Sequence, residues 1–420
     1  MDATISASSI SQGPVVVLGA GHAGCQFALA LRQAGYRGAL TLVDKEEHLP
    51  YQKPPLSKGF LTGTTRDEAL RVKSDHFYVE HDIARKSGHV TRLDRIARHI
   101  HFADGTSLPY AHLVLAPGAV NRQLGCPGEG LEGVYSLRNL DDARRLREAL
   151  VAGRQAVVIG AGFIGLEFSA SARALGLSVH VIDTASRPMQ RAVSAMTANV
   201  CQDEHACNGV SFKFDAVVTE IAGQHGRVCG VRCSDGTEIA ADLVLVAVGV
   251  TPEIELASQA GLNVSNGILV DDLLTTSDPD ISAIGDAASF PYAPVGERIR
   301  LESVQNSIEQ ARTVASRLMG RPRPFAFLPS FWSDQGTLKL QITGITRPAD
   351  DAIRLSHDSQ LSFSTLLFRN GRLEAVESLN RPSDQLAAKR ILAQTIRPEI
   401  DEVHNPGFDL TVWASNNQST

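Results

Sequence analysis

The sequence reads as an α/β protein: two Rossmann-like strand–turn–helix units and a smaller C-terminal α+β segment. Three observations carry this. The apolar run Val15-Val16-Val17-Leu18 enters Gly19-Ala20-Gly21-His22-Ala23-Gly24 and then a helical stretch. The run Ala156-Val157-Val158-Ile159 enters Gly160-Ala161-Gly162-Phe163-Ile164-Gly165 and a second helical stretch. Beyond the proline-rich residues 321–329, strand-like alternation replaces this rhythm.

Both turns have the G-x-G-x-x-G spacing. The first glycine makes the tight turn, the second lets a phosphate approach the backbone, and the third lets helix pack on strand. The helix start then offers unpaired N–H groups and a positive dipole end to an anion. One such motif is weak; two in a strand–turn–helix setting imply two bound dinucleotides, of which a flavin and a nicotinamide are the natural pair.

Along the chain, 25–34 reads as the first helix, ended by Gly35, and 39–43 as the next strand. Hairpin-like strands follow at 89–93, 99–102 and 108–115, with Asp104-Gly105 as a turn and a break at Pro117-Gly118. The second unit begins near Leu137, with a helix at 141–151, strands at 155–160 and 178–182, and the helix 164–175 between them. Hairpin segments then run to Val246-Ala247-Val248-Gly249. Ile281-Ser282-Ala283-Ile284-Gly285-Asp286 and a helix at 304–318 follow. The last segment carries antiparallel strands at 338–343, 361–368 and 372–379 and a helix at 383–394. The two glycine-turn units are the one internal repeat visible.

With 420 residues, 43% hydrophobic and 20% charged, the chain has material for two or three domains. A net charge of −6 argues against wholesale nucleic-acid binding. No apolar run approaches the roughly 18 residues of a membrane helix. Residues 1–13 lack the features of a signal peptide and read as a flexible tail on a cytoplasmic protein. The six cysteines, Cys25, Cys126, Cys201, Cys207, Cys229 and Cys233, form no Cys-x-x-Cys pair. Cys229 and Cys233 flank a hairpin, with no further metal ligands nearby, so reduced thiols and no metal are expected.

Five segments complete a family pattern: Tyr51-Gln52-Lys53-Pro54-Pro55-Leu56-Ser57-Lys58, Gly165-Leu166-Glu167, Ala283-Ile284-Gly285-Asp286, Arg300-Leu301-Glu302-Ser303-Val304-Gln305-Asn306 and Phe331-Trp332-Ser333-Asp334-Gln335. Over nearly its whole length the chain resembles the FAD- and NADH-dependent ferredoxin reductases of bacterial oxygenase systems, the putidaredoxin reductase and biphenyl-dioxygenase reductase type. These share the glutathione-reductase-like flavoprotein fold. The resemblance implies an FAD domain at 14–120 and 248–325, an NADH domain at 121–247, and a C-terminal α+β interface domain at 326–420.

By that resemblance the FAD pyrophosphate sits on Gly19, Gly21, Ala23 and Gly24, with His22 in a permissive position between them. An acidic residue after the second strand accepts the ribose hydroxyls. The family places it where this chain has Lys45, so the role falls to Asp44, with Glu46 beside it. Asp286, after Gly285, is assigned to the ribityl chain, although a simple helix cap uses the same position. Val90, Arg138 and Val304 match flavin-lining positions. Lys53, Pro54, Ala116, Gly118, Arg191, Gly249 and Ser303 join the cofactor-binding set. Lys58 is expected at the flavin N5 region, paired with Glu167, where a positive charge favours the anionic reduced flavin. Glu302 and Trp332 match positions near the nicotinamide and isoalloxazine; core packing is the plainer fate of Trp332.

For NADH, Gly160, Gly162, Phe163, Ile164 and Gly165 bracket the pyrophosphate. Asp183 accepts the 2′-hydroxyl and repels a 2′-phosphate. Arg187, four residues on, argues the other way.

Disulfide reductases of this fold carry a Cys-x-x-x-x-Cys pair where this chain has 51–61, and related enzymes carry a single cysteine there; this chain has none. Electrons must leave without a thiol relay, for a redox protein that takes them singly. The expected partner is a 2Fe–2S ferredoxin feeding a haem monooxygenase or ring-hydroxylating dioxygenase, with the reductase a monomer or homodimer. Rubredoxin, a nitrite reductase component, or slow NADH sensing like that of apoptosis-inducing factor are the alternatives. Arg312, Arg317, Arg321 and Arg323 form a candidate docking patch, against the plainer reading of a solvated helix face.

Overall fold

The computed structural model describes residues 13–347 and 350–417. Of the expected N-terminal tail, residues 1–12 lie outside the described residues. The chain forms two compact units. One comprises the described residues up to Gln52 with Glu68–Val120 and Val250–Phe327; the other comprises Lys53–Asp67, Asn121–Gly249 and the described residues from Leu328 onward.

The first unit is built on a five-stranded parallel sheet in the order Ile281–Ala283, His112–Leu115, Val15–Leu18, Leu40–Asp44, Ile83–Ser87. Val15, Val16 and Val17 are at most 1% exposed, as a central strand covered on both faces requires. Full burial of each such side chain contributes roughly 1.5–3 kcal/mol. The helix His22–Gln33 buries Phe27, Ala28 and Leu31 in the same core as Ala311, Val314 and Ala315 of the helix Val304–Leu318.

The second unit repeats the scheme: Val210–Lys213, Ser178–Ile182, Gln155–Ile159, Leu243–Val246, Val134–Tyr135, all parallel. The repeat extends beyond the glycine turns. Each unit inserts a three-stranded antiparallel meander, Val90–Asp94, His99–Phe102, Ser107–Pro109 in the first and Val218–Gln224, Arg227–Cys233, Glu238–Ala240 in the second. The second unit also contains a five-stranded antiparallel sheet, ordered Ser330–Gln335, Leu338–Gly344, Arg372–Leu379, Ser362–Arg369, Asp351–Ser359. The helices Pro382–Leu392 and Leu410–Asn416 cover it through Ala388, Ile391 and Leu410.

Three sequence expectations change. The strand expected at 108–115 is two strands in different sheets, Ser107–Pro109 in the meander and His112–Leu115 in the parallel sheet. Pro109 has no N–H to extend a ladder, and the chain leaves it to start a new pairing at His112. Cys229 and Cys233 do not flank a hairpin. Both lie on one strand, and Cys229 is passed over where the register slips from Gly230 to Val228, leaving it exposed while Cys233 is buried. The helix Ala195–Cys207 stands inside a stretch read as hairpins. Its buried residues, Thr197, Ala198, Cys201 and His205, are small or polar, so its apolar period is faint.

No helix among the described residues is long and apolar enough to cross a membrane. All six cysteines are free.

Candidate functional site

The six fingerprint glycines separate by what surrounds them. A Cβ on Gly19 (φ +104°) would stand 2.1 Å from the Ala116 carbonyl oxygen, and one on Gly24 would stand 1.9 Å from the Gly19 carbonyl oxygen. On Gly21 it would meet nothing within 4 Å. The second unit repeats this: a Cβ would fall 2.4 Å from the Ala247 oxygen at Gly160 (φ +111°) and 2.0 Å from the Gly160 oxygen at Gly165, while Gly162 is open. The outer glycines are needed for packing; the middle one faces open space.

The helices that follow, His22–Gln33 and Phe163–Ala174, have glycine N-caps and no side-chain cap. The helices at Leu140–Ala149, Ala195–Cys207 and Val304–Leu318 are instead capped by Asn139, Ser194 and Ser303. Both fingerprint helices therefore offer their first N–H groups to an anion. Ile164 is 43% exposed at such a start.

An acid closes each second strand. Asp44 Oδ2 accepts from the Ala20 N–H at 2.5 Å and Oδ1 from the Glu46 N–H at 2.9 Å. Asp183 Oδ2 accepts from the Ala161 N–H at 2.6 Å and Oδ1 from the Ala185 N–H at 2.8 Å. Lys45 is exposed beyond its strand.

In the first unit, Gly285 (φ +76°) packs against Ala23, where an added Cβ would fall 2.8 Å from the alanine Cβ. Its N–H donates to Gln310 Oε1 at 2.7 Å. Gln310 and Asn306 are fully buried; Gln310 Nε2 and Asn306 Oδ1 have no partner among the described residues. Buried polar atoms of this kind are met by a bound polar group or ordered water, and they lie on the helix that touches Gly285-Asp286. Asn306 stands in the family pattern without an assigned role and Gln310 was passed over, although polar residues at i and i+4 on one face of the helix were the available signal. Arg300 Nη1 donates to the Asp286 carbonyl at 3.0 Å and pairs with Glu302 at 2.6 Å. Ser303 Oγ accepts from the Asn306 N–H at 3.1 Å, capping its helix. Ala116 is buried, and Gly118 accepts from the Glu253 N–H at 3.0 Å. The Val90 side chain belongs to the hydrophobic core, leaving only its backbone to offer.

In the second unit the short turn Pro54–Ser57 presents Lys58. Its ammonium lies 2.6 Å from Glu167 Oε2 and donates to the Pro54 carbonyl at 3.0 Å. Ser57 Oγ donates to Glu167 Oε2 at 2.5 Å and Ser333 Oγ to Oε1 at 2.7 Å. Glu167 is 3% exposed, and a buried carboxylate survives only with such partners. Ser171 Oγ anchors the turn at the Ser57 carbonyl, 2.8 Å away. Lys53 reaches the Arg138 carbonyl at 3.4 Å. Trp332 is half-buried and alternates with Ser333 along the strand, so the two point to opposite faces. Arg191 is exposed near Gly249, whose added Cβ would fall 3.5 Å from Arg191 Nη2.

Two arginines differ from expectation. Arg187 spends its guanidinium on the Val193 carbonyl at 2.9 Å and on the Pro188 and Gln190 carbonyls, and burial lowers its pKa against an opposing pull from Glu377. Arg317 is no part of a docking patch. It turns inward, donating to Thr275 Oγ1 and to Ser282 Oγ, and burial lowers its pKa. Arg312 pairs with Glu309 at 2.7 Å on the exposed side of the helix.

Residues 13–311 match the family described as pyridine nucleotide-disulphide oxidoreductase, and residues 330–414 match the reductase C-terminal family. The chain belongs to the pyridine nucleotide-disulphide oxidoreductase family, and within it is an NAD(P)-dependent flavoprotein oxidoreductase of the ferredoxin-reductase type. It is 41% identical to rhodocoxin reductase of Rhodococcus erythropolis, over 97% of this chain and 95% of that one. It is 39% identical to the rubredoxin-NAD(+) reductase of Pseudomonas putida, over 88% and 97%. The crystal structure of the ferredoxin reductase for the CYP199A2 system from Rhodopseudomonas palustris superposes with a TM-score of 0.93, at 43% identity, covering 96% of this chain and 99% of that one.

Proposed function

We propose that this protein is an NADH:ferredoxin oxidoreductase that uses FAD and supplies an oxygenase, working in the reducing cytoplasm. The observation that carries the reading is the Lys58–Glu167 pair, whose lysine stands on a segment, 51–61, that holds no cysteine. A fold that elsewhere passes electrons to a thiol here keeps a lysine ammonium and no sulfur.

We assign the FAD to Gly19, Gly21, Gly24, Asp44, Gly285 and Asp286. Gly21 leaves room for the pyrophosphate, Asp44 has carboxylate lone pairs left for ribose hydroxyls, and Gln310 and Asn306 have unmet polar atoms. FAD, when bound, takes two electrons with a hydride and yields them one at a time. On the family pattern Lys58 supplies the positive charge that favours the reduced flavin, and Glu167 with the Pro54 carbonyl holds the ammonium. Glu302 and Trp332 are assigned to the nicotinamide and flavin rings on the family pattern.

We assign the nicotinamide cofactor to Gly160, Gly162, Gly165 and Asp183. The Asp183 carboxylate suits a 2′-hydroxyl and repels a 2′-phosphate. Arg187, the one residue that argued for NADPH, is engaged with backbone carbonyls. NADH is therefore the donor.

The acceptor follows from the relatives: one reduces rhodocoxin by name, and one serves the CYP199A2 system as its ferredoxin reductase. The 39% identity to a rubredoxin reductase makes rubredoxin the second reading. The test is direct. Purified protein is reconstituted with FAD, bleached with NADH, and assayed for cytochrome c reduction with a 2Fe–2S ferredoxin or a rubredoxin added. Fast reduction only with the ferredoxin supports the proposal, and only with rubredoxin moves it to the second reading. Protein that stays colourless after reconstitution rejects both.

A further inference from the structure

Beyond Glu167 the polar contacts continue inward. Ser333 Oγ accepts from Gln335 Nε2 at 3.2 Å, and Gln335 Oε1 faces His205 Nε2 at 3.0 Å. Ser333, Gln335 and His205 are at most 4% exposed, and they cross a core of Leu166, Met189, Cys201 and Leu338. Gln335 Nε2 also reaches Met189 Sδ at 3.5 Å, which fixes the amide with its oxygen toward His205. His205 must then carry its proton on Nε2.

The direction of donation decides what the row does. Gln335 gives a hydrogen to Ser333 Oγ, so the single hydroxyl proton of Ser333 is left for Glu167. Glu167 Oε2 has two donors, Ser57 and Lys58; Oε1 has Ser333 as its one donor among the described residues. Without that hydroxyl, one buried carboxylate oxygen is unmet and the carboxylate is free to turn about its own axis. The Lys58 ammonium turns with it.

We infer that Ser333, on the strand Ser330–Gln335 of the C-terminal antiparallel sheet, is a positioning residue for Lys58, acting through Glu167 and held in its donating orientation by Gln335. This rests on the reading that Lys58 serves the bound flavin. It gives the C-terminal sheet a part in setting the flavin's reactivity, apart from any contact with a protein partner.

The test uses Ser333→Ala, Ser333→Thr, Lys58→Met and the double variant Ser333→Ala with Lys58→Met, each checked for FAD content. Loss of a hydrogen bond to a charged group commonly changes an equilibrium about tenfold or more. Ser333→Ala should slow flavin reduction by NADH about tenfold and lower the flavin midpoint potential, and Ser333→Thr should restore both. Adding Ser333→Ala to Lys58→Met should cost nothing further. A second readout needs no cofactor: reductive methylation of Lys58 in the apoprotein, followed by mass spectrometry, should run several-fold faster in Ser333→Ala. If Ser333→Ala matches wild type in potential and labelling rate while Lys58→Met is slow, the inference is wrong and the role of Lys58 stands. If Lys58→Met reduces flavin at the wild-type rate, the underlying reading fails, and the inference with it. Should Ser333→Ala not retain FAD, Gln335→Met, which removes the donor to Ser333, gives the same two readouts. Faster labelling there supports the inference, and an unchanged rate overturns it.

Discussion

Asp44 and Asp183 hold equivalent places: each carboxylate closes the second strand of its unit and accepts from the N–H of the alanine between the first two glycines, Ala20 or Ala161. Each has a lone pair left for a ribose hydroxyl. Replacing Asp44 with Asn should weaken FAD binding about 10- to 100-fold and leave the KM for NADH unchanged, from the worth of a hydrogen bond to a charged group. Asp183→Asn should do the reverse, raising the KM for NADH and narrowing the preference over NADPH. Flavin titration of the apoproteins and steady-state kinetics with both nucleotides check the pair. A common effect of both variants on one cofactor would refute the assignment.

The Lys58–Glu167 pair predicts a split between stability and rate. At an effective dielectric of about 20, charges 4 Å apart attract by about 4 kcal/mol before desolvation is subtracted. Lys58→Met strands a buried carboxylate and should lower Tm as well as slow hydride transfer. Adding Glu167→Gln removes the stranded charge, so the double variant should recover most of the Tm while hydride transfer stays at least tenfold slow. Stopped-flow reduction and thermal melts separate the two effects. Recovery of the rate along with the Tm would count against any role for the lysine charge.

The glycine turns and the acids after the second strands were legible because a fixed backbone geometry demands those residue types at those spacings, whereas the Lys58–Glu167 pairing was legible only through the family resemblance. Ser57, Ser333, Gln335 and Gln310 were not. They are common polar residues whose meaning comes from tertiary neighbours: Ser333 is 166 positions from Glu167. Arg317 misled because a basic residue in a basic cluster reads as surface, and only the structure shows it turned toward Ser282. The helix Ala195–Cys207 was hidden because it buries small and polar side chains, although Ser194 was a cap signal in plain view.

Acid should destabilise the first unit through His112. Its imidazole is 4% exposed, 2.8 Å from Ser282 Oγ, and burial followed by the nearby Arg317 charge pushes its pKa down to about 3. Arg317 donates to the same Ser282 Oγ, which keeps its positive charge close to the imidazole. The unfolded chain takes up a proton near pH 6.5 and the folded one does not until about 3, so the full stability is present above 6.5 and falls as pH drops through that window. The loss is about 1.4 kcal/mol per pH unit, or about 2 kcal/mol by pH 5. His205, lowered by burial in the second unit, adds in the same sense. Denaturant melts from pH 7 to 5 should show a shallower decline in His112→Gln than in the wild type. Parallel declines would mean that His112 titrates normally.

The glycines offer a comparison within one motif. Gly21 (φ −67°) and Gly162 (φ −77°) have backbone angles open to any residue, and an added Cβ there meets no protein atom within 4 Å. Alanine at either should leave the apoprotein's stability unchanged or raise it by about 0.4–1 kcal/mol through the unfolded chain. The methyl would occupy the space proposed for a phosphate, so Gly21→Ala should lose FAD and Gly162→Ala should lose NADH affinity. Gly24 and Gly165 are opposite cases, since a Cβ would lie 1.9 Å and 2.0 Å from the carbonyl oxygens of Gly19 and Gly160. Alanine there must push helix from strand, at a cost of about 1–3 kcal/mol or more. Apoprotein melts and cofactor titrations of the four variants decide the matter. An unstable Gly21→Ala apoprotein, or a Gly21→Ala protein that binds FAD as tightly as the wild type, would show that the open face of the turn is not where the dinucleotide sits.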